Sequence, residues 1–155
     1  MKINVDAGVK CGGGVLGIGC VVRDSGGHSQ FASSTVITRE IAPLQLELQA
    51  ILLGIQVGIQ RKIQRFSIES DCLQAIQLIQ KKDEGCHDVD CLLGQIRTLL
   101  LYDSCDGISF IFREANRVAH VLANYVLTNK ASAMWIGADP SCASQEISLD
   151  MPNPF

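Results

Sequence analysis

No stretch of the chain approaches the ~20 consecutive apolar residues that a membrane-spanning helix needs, which excludes a protein threaded through a bilayer by helices, and no membrane partner is expected. Charge is sparse. Charged residues are 19% of the 155, and 13 Lys+Arg against 16 Asp+Glu leave a formal net charge of −3. A grip on nucleic acid through bulk positive charge is therefore excluded, whereas a grip through a bound metal is not. Aromatic residues are only 5% of the chain, and none form a stripe on which single-stranded bases would stack. The seven cysteines contain no Cys-x-x-Cys pair, and their odd number leaves a thiol over from any disulfide framework. Cys86 and Cys91 flank His87 loosely, at a spacing that matches no zinc module. The opening MKINVD enters a strand at once, with no secretory leader before it. Reduced thiols in a cytoplasmic or nuclear protein are the expectation, several of them in the core. A domain cut from a longer protein would begin in the same abrupt way. There is no internal repeat and no low-complexity tract.

What is present is a hydrophobic fraction of 47%, too high for a disordered chain, at a length that suits one domain. Residues 2–6 alternate, with Ile3 and Val5 on one side and Asn4 and Asp6 on the other, and read as a strand. Residues 15–23 are apolar and β-branched and run into the turn signal Asp24-Ser25-Gly26-Gly27; residues 28–36 form the return strand. The chain thus opens as a three-stranded antiparallel meander.

The period changes at Pro43. Leu44, Leu48, Ile51, Leu52, Ile55 and Ile59 recur at helical spacing, while Leu46, Leu53 and Val57 occupy the other side, so this helix is expected to be buried over much of its circumference. Residues 65–70 read as a strand that ends at Asp71, which is well placed to cap a following helix through Lys81. A helix over 89–101, a strand over 108–112 and a helix over 114–127 complete the pattern. Beyond it, residues 130–155 carry Pro140, Pro152 and Pro154 with little periodicity and read as an irregular tail, docked by Trp135 and Ile136. The order β-β-β-α-β-α-α-β-α implies an α/β fold with a mixed five-stranded sheet flanked by helices. In such sheets ligands collect at the carboxyl ends of the parallel strands.

Asp6 and Asp71 stand at two such ends, and Glu47 lies near the start of the first helix. Taken singly, Asp71 reads as a helix cap and Glu47 as a complement to the helix dipole. Taken together, three carboxylates gathered in one cleft repel one another unless a cation neutralises them. Hard oxygen donors in a partly open cluster suit Mg²⁺ or Mn²⁺. Two such ions suit in-line displacement at phosphorus.

These residues also carry a resemblance. NVDAG at the start, the hairpin GIGCVVRDSGG, LQLELQAILLGI, IESDCLQAI and FREANRVAHVLAN, in that order, resemble the ribonuclease H-like superfamily. Within it the chain is most similar to the plant ribonuclease H-like domains related to reverse-transcriptase-associated ribonuclease H. The similarity runs from about Ile3 to Asn129, so residues 1–129 are read as the domain. The resemblance implies hydrolysis of the RNA strand of RNA–DNA hybrids with two Mg²⁺ or Mn²⁺ ions. It places Asp6, Glu47 and Asp71 among four acidic residues that hold those ions. The fourth acid is expected four residues after Asn116, and the chain has His120 there. An imidazole brings no negative charge and suits Mn²⁺, Co²⁺ or Zn²⁺ better than Mg²⁺; it is also a candidate general base. Activity weakened or biased toward Mn²⁺ is the expectation.

Asn116 and Arg117 beside the site are expected to contact nucleic acid, as is Gly8, since Asp6-Ala7-Gly8 replaces the family's usual Asp-Gly pair. Arg113 and Arg117 bracket Asn116, whereas Arg61, Lys62 and Arg65 read as a solvated helix end. A catalytically degenerate module that binds nucleic acid or protein is the rival reading.

Overall fold

The computed structural model of the chain describes residues 1–81 and 88–151. Cys86, His87, Pro152 and Pro154 lie outside the described residues. Strands β1 (Lys2–Val9), β2 (Leu16–Arg23) and β3 (Ser29–Ile37) form the antiparallel meander, with Asp6 opposite Gly19. Helix α1 (Pro43–Gln60) then crosses to β4 (Phe66–Ser70), which lies parallel to β1. Helices α2 (Leu73–Gln80) and α3 (Asp90–Leu99) lead to β5 (Cys105–Phe110), parallel to β4. A 3-10 turn over Arg113–Ala115 precedes α4 (Arg117–Asn129), and β6 (Ala133–Ile136) and α5 (Ser144–Asp150) follow.

The sheet therefore has six strands in the order β5-β4-β1-β2-β3-β6, one more than the sequence pattern suggests. The sixth comes from the segment expected to be irregular. β6 pairs antiparallel with β3, and Trp135 meets Tyr125 of α4 edge to face at 5.4 Å between ring centroids. Ala143 and Ile147 are buried beside Val118 and Leu122 of α4. Three boundaries also move. β1 continues through Asp6 to Val9, β5 begins and ends earlier than residues 108–112, and α4 starts at Arg117 because residues 113–115 close as a 3-10 turn.

Strand alternation divides the core. Ile3, Val5, Ile18, Cys20, Val22, Phe66 and Ile68 face the side where Ile51 and Ile55 of α1 pack. Helix α1 also touches α3, and Leu46 and Val57 are buried together with the inner row, as expected of a helix covered on much of its circumference. Val21 and Ala32 face the other side, under α4 and α5. That second interface is unusually close. A Cβ at Gly17 would lie 2.1 Å from the Ala123 carbonyl oxygen, and one at Gly19 would lie 2.1 Å from the Ala119 carbonyl oxygen. Only glycine admits the α4 backbone at this distance, and the approach brings the start of α4 over β1. A network of Arg23 with Asp150 (2.7 Å) and with Asn4 Oδ1 (3.2 and 2.9 Å) ties the end of α5 to the sheet.

Candidate active site at the ends of the parallel strands

The parallel ladder between β1 and β4 ends at the pair Val5–Ser70. The next residue on each strand is an aspartate, Asp6 on one and Asp71 on the other. Adjacent strands lie ~4.8 Å apart, so the register alone sets the two carboxylates side by side. Asp6 shares a strand face with Asn4 and Gly8, and a Cβ at Gly8 would meet the Ala123 backbone of α4 at 3.2 Å. Gly8 thus lies close against α4. Glu47 reaches the pair from α1, where it stands at the fifth position and so just past the first turn, whose dipole it was expected to complement.

Asp71 does not cap α2. The residue at that cap is Cys72, with no side-chain cap bond, and its N–H goes to Ser70 Oγ at 3.1 Å. The Asp71 carboxylate instead accepts from Arg113 Nε at 3.0 Å and from Asn116 Nδ2 at 3.2 Å. Asn116 Nδ2 also donates to the Val5 carbonyl at 2.9 Å, so one amide bridges the two chain segments where the parallel ladder ends. Its side chain is 1% exposed, in the non-helical residue between the 3-10 turn and α4. Asn116 therefore ties Asp71 to the backbone of β1 just before Asp6.

His120 follows one turn later. Its Nδ1 lies 2.7 Å from Asp6 Oδ2 and its Nε2 3.0 Å from Asn124 Nδ2. With the Asn124 amide donating to Nε2, Nδ1 carries the proton that is donated to Asp6. The imidazole is thereby held at both nitrogens, beside Asp6. Arg117 is exposed at the first position of α4. The other basic cluster is occupied elsewhere, since Arg65 pairs with Asp106 at 2.6 Å and Arg61 lies over the Phe31 ring at 4.4 Å.

The electrostatics follow from crowding. Asp6 is fully buried, and its carboxyl is pushed up to about 6 by that burial and then by the charge of Asp71, with the His120 bond acting in the opposite direction. Glu47 is pushed up to about 8, again by burial first and by Asp6 and Asp71 next. Asp6 Oδ1 and Glu47 Oε2 are buried without a hydrogen-bond partner. Buried oxygens of this kind cost free energy unless a donor or cation meets them. Among the described residues no three or more His, Cys, Asp or Glu side chains are arranged so that together they could hold a metal ion. The two unpartnered oxygens are hard donors of the kind that would suit an open site, in which water completes the shell of a divalent cation.

Two contacts were not visible as motifs. Asn124 is marked only by its place four residues after His120 on one helix face. Arg113 was visible as a basic residue near Asn116, but not as the partner of Asp71.

The chain superposes on RNase H1 from the halophilic archaeon Halobacterium salinarum NRC-1 with a TM-score of 0.74 at 19% identity, over 83% of this chain and 97% of that one. LC11-RNase H1, solved in complex with an RNA/DNA hybrid, gives a TM-score of 0.71 at 20% identity, over 83% and 97% of the two chains. The fold is thus that of ribonuclease H. A provisionally named ribonuclease H protein of Arabidopsis thaliana is 29% identical over 128 residues, which are 83% of this chain and 20% of that protein. This chain accordingly spans about one fifth of the relative's length. Residues 4–126 match the reverse transcriptase-like family, and the chain belongs to it. No helix among the described residues is long and apolar enough to cross a membrane.

Proposed function

We propose that this chain is a divalent-cation-dependent ribonuclease that hydrolyses the RNA strand of RNA–DNA hybrids. One observation carries the reading. Asp6 and Asp71 stand side by side where the parallel ladder ends, with Glu47 beside them and with Asp6 Oδ1 and Glu47 Oε2 buried and unpartnered. Such a group of acids is costly in a metal-free protein, and a bound hard cation relieves that cost. The fold neighbours named as ribonucleases, one of them solved in complex with an RNA/DNA hybrid, support this choice of substrate class.

Asp6, Glu47 and Asp71 would hold Mg²⁺ or Mn²⁺, whose chemistry is to lower the pKa of a bound water and to stabilise developing negative charge on oxygen. The chain's own groups do the rest. Asn116 fixes the separation of the two strand ends. Arg113 spends its Nε on Asp71, and with a side chain 65% exposed it leaves its terminal nitrogens for a phosphate of the substrate. His120 fixes one oxygen of Asp6 and so orients the other toward the cluster. Arg117 meets the sugar-phosphate backbone from the exposed start of α4. Hybrid binding is expected to be weak and salt-dependent, because no separate basic module accompanies these few cations.

The alternative, a binding module without hydrolysis, is favoured by the His120–Asp6 bond, which puts an imidazole on Asp6 where the resemblance expects a fourth acid. The test is a labelled RNA–DNA hybrid incubated with the protein in EDTA and after Mg²⁺ or Mn²⁺ is restored. Cleavage of the RNA strand that depends on the cation supports the enzyme; a hybrid bound but intact in both metals supports the module.

A further inference from the structure

We infer that the acid cluster takes one divalent ion, and that His120, held between Asp6 and Asn124, excludes a second. The inference rests on the metal reading above and deepens it.

Asp6 is the acid that faces both Asp71 and His120, and so both places where an ion could sit. The Oδ2 lone pair that faces position 120 is taken by His120 Nδ1 at 2.7 Å, whereas Oδ1 is buried, unpartnered and open to an ion. One free oxygen serves one ion on the side shared with Glu47 and Asp71. On the other side stands an imidazole, which ligates a metal only through an unprotonated nitrogen. Nδ1 holds the proton it donates to Asp6, and the Nε2 lone pair meets the Asn124 amide at 3.0 Å. Neither nitrogen is free to ligate unless an existing hydrogen bond breaks.

Charge gives the same answer independently. Asp6, Glu47 and Asp71 with Arg113 leave two negative charges when the acids are ionised, and one divalent cation neutralises them. A second would stand uncompensated in a site where Asp6 is fully buried. A carboxylate at position 120 would change both conditions, because it adds a negative charge and releases Asp6 Oδ2. His120 is thus a positioning residue that fills the second place with a hydrogen bond.

The experiment is calorimetric titration of MnCl₂ into the metal-free full chain, with bound Mn²⁺ counted by electron paramagnetic resonance. Wild type is expected to bind one ion and His120→Asp two, with the circular dichroism of the fold unchanged. Two ions in wild type, or one in a folded His120→Asp, overturns the inference and leaves the ribonuclease reading standing. No ion in wild type overturns the metal reading, and this inference with it. Should His120→Asp not fold, the imidazole ¹H–¹⁵N spectrum of wild type decides. The Nδ1-protonated tautomer of His120 is expected to persist when Mg²⁺ saturates the site, and its loss overturns the inference.

Discussion

Replacing Glu47 by glutamine removes one charge from the acid cluster while keeping the side chain's shape, and the sign of its effect on stability depends on pH. Burial and the charges of Asp6 and Asp71 push the Glu47 carboxyl up to about 8, against ~4.3 in an unfolded chain. Between those values the folded protein holds a proton that the unfolded chain has released. Stability conferred by that proton is full below ~4, is lost as pH rises through about 8, and is level above it. A tenfold difference in proton affinity is worth ~1.4 kcal/mol, so the whole shift bounds the loss at ~5 kcal/mol. Partial exposure and relaxation of the cleft reduce this to roughly 2–3 kcal/mol. Glutamine does not titrate. In EDTA, Glu47→Gln should match the parent within ~0.6 kcal/mol at a pH of about 4.5 and exceed it by ~2 kcal/mol at a pH of about 8.5. For a domain of this size the latter difference is ~4–8 °C in Tm. Urea denaturation followed by circular dichroism at the two pH values measures it. Adding Mn²⁺ at the higher pH should reverse the order, because the ion stabilises the parent by mass action and the variant has lost a ligand. A parent more stable than the variant by the same margin at both pH values, in EDTA, would refute the reasoning.

Gly19→Ala would drive a Cβ to 2.1 Å from the Ala119 carbonyl and 2.5 Å from the Ala123 amide; a loss of about 3 kcal/mol is expected in thermal denaturation. Asp150→Ala removes the partner of Arg23 in a bridge whose side chains are 11% and 19% exposed. It should cost ~1–3 kcal/mol and speed hydrogen exchange in α5 ahead of the rest of the domain. Arg117→Ala should weaken hybrid binding and reduce the magnitude of the salt slope of log K by about 1, with the cleavage rate at saturation unchanged.

The elements that the sequence declares are those whose own pattern matches their burial. Ile3 and Val5 alternate with Asn4 and Asp6, and the apolar row of α1 repeats at helical spacing, so meander and crossovers are legible from residue types alone. β6 is not. Its four residues, Ala133–Ile136, are apolar on both faces, with Met134 and Ile136 exposed, and the pairing that makes it a strand is supplied by β3. α5 is hidden for a similar reason, since Ile147 is its one buried residue among those from Ser144 to Asp150. The family resemblance named the three acids; register sets Asp6 and Asp71 on neighbouring strands, and α1 carries Glu47. Asp71 misled as a helix cap because capping is a local signal, whereas its partners, Arg113 and Asn116, lie 42 and 45 residues away. The identity of residue 120 announced a departure from the family; the bond to Asp6, 114 residues distant, is a fact of tertiary structure.

The central claim is that the paired aspartates form a cation-dependent hydrolytic site. Cleavage of the RNA strand of a labelled hybrid by wild type and by Asp6→Asn, side by side in Mg²⁺ and in Mn²⁺, tests it most directly. Wild type should cleave in at least one metal, and the variant should lose about two orders of magnitude or more in both, as expected when a transition-state charge loses its stabilising ion. Equal rates for the two proteins in both metals would contradict it.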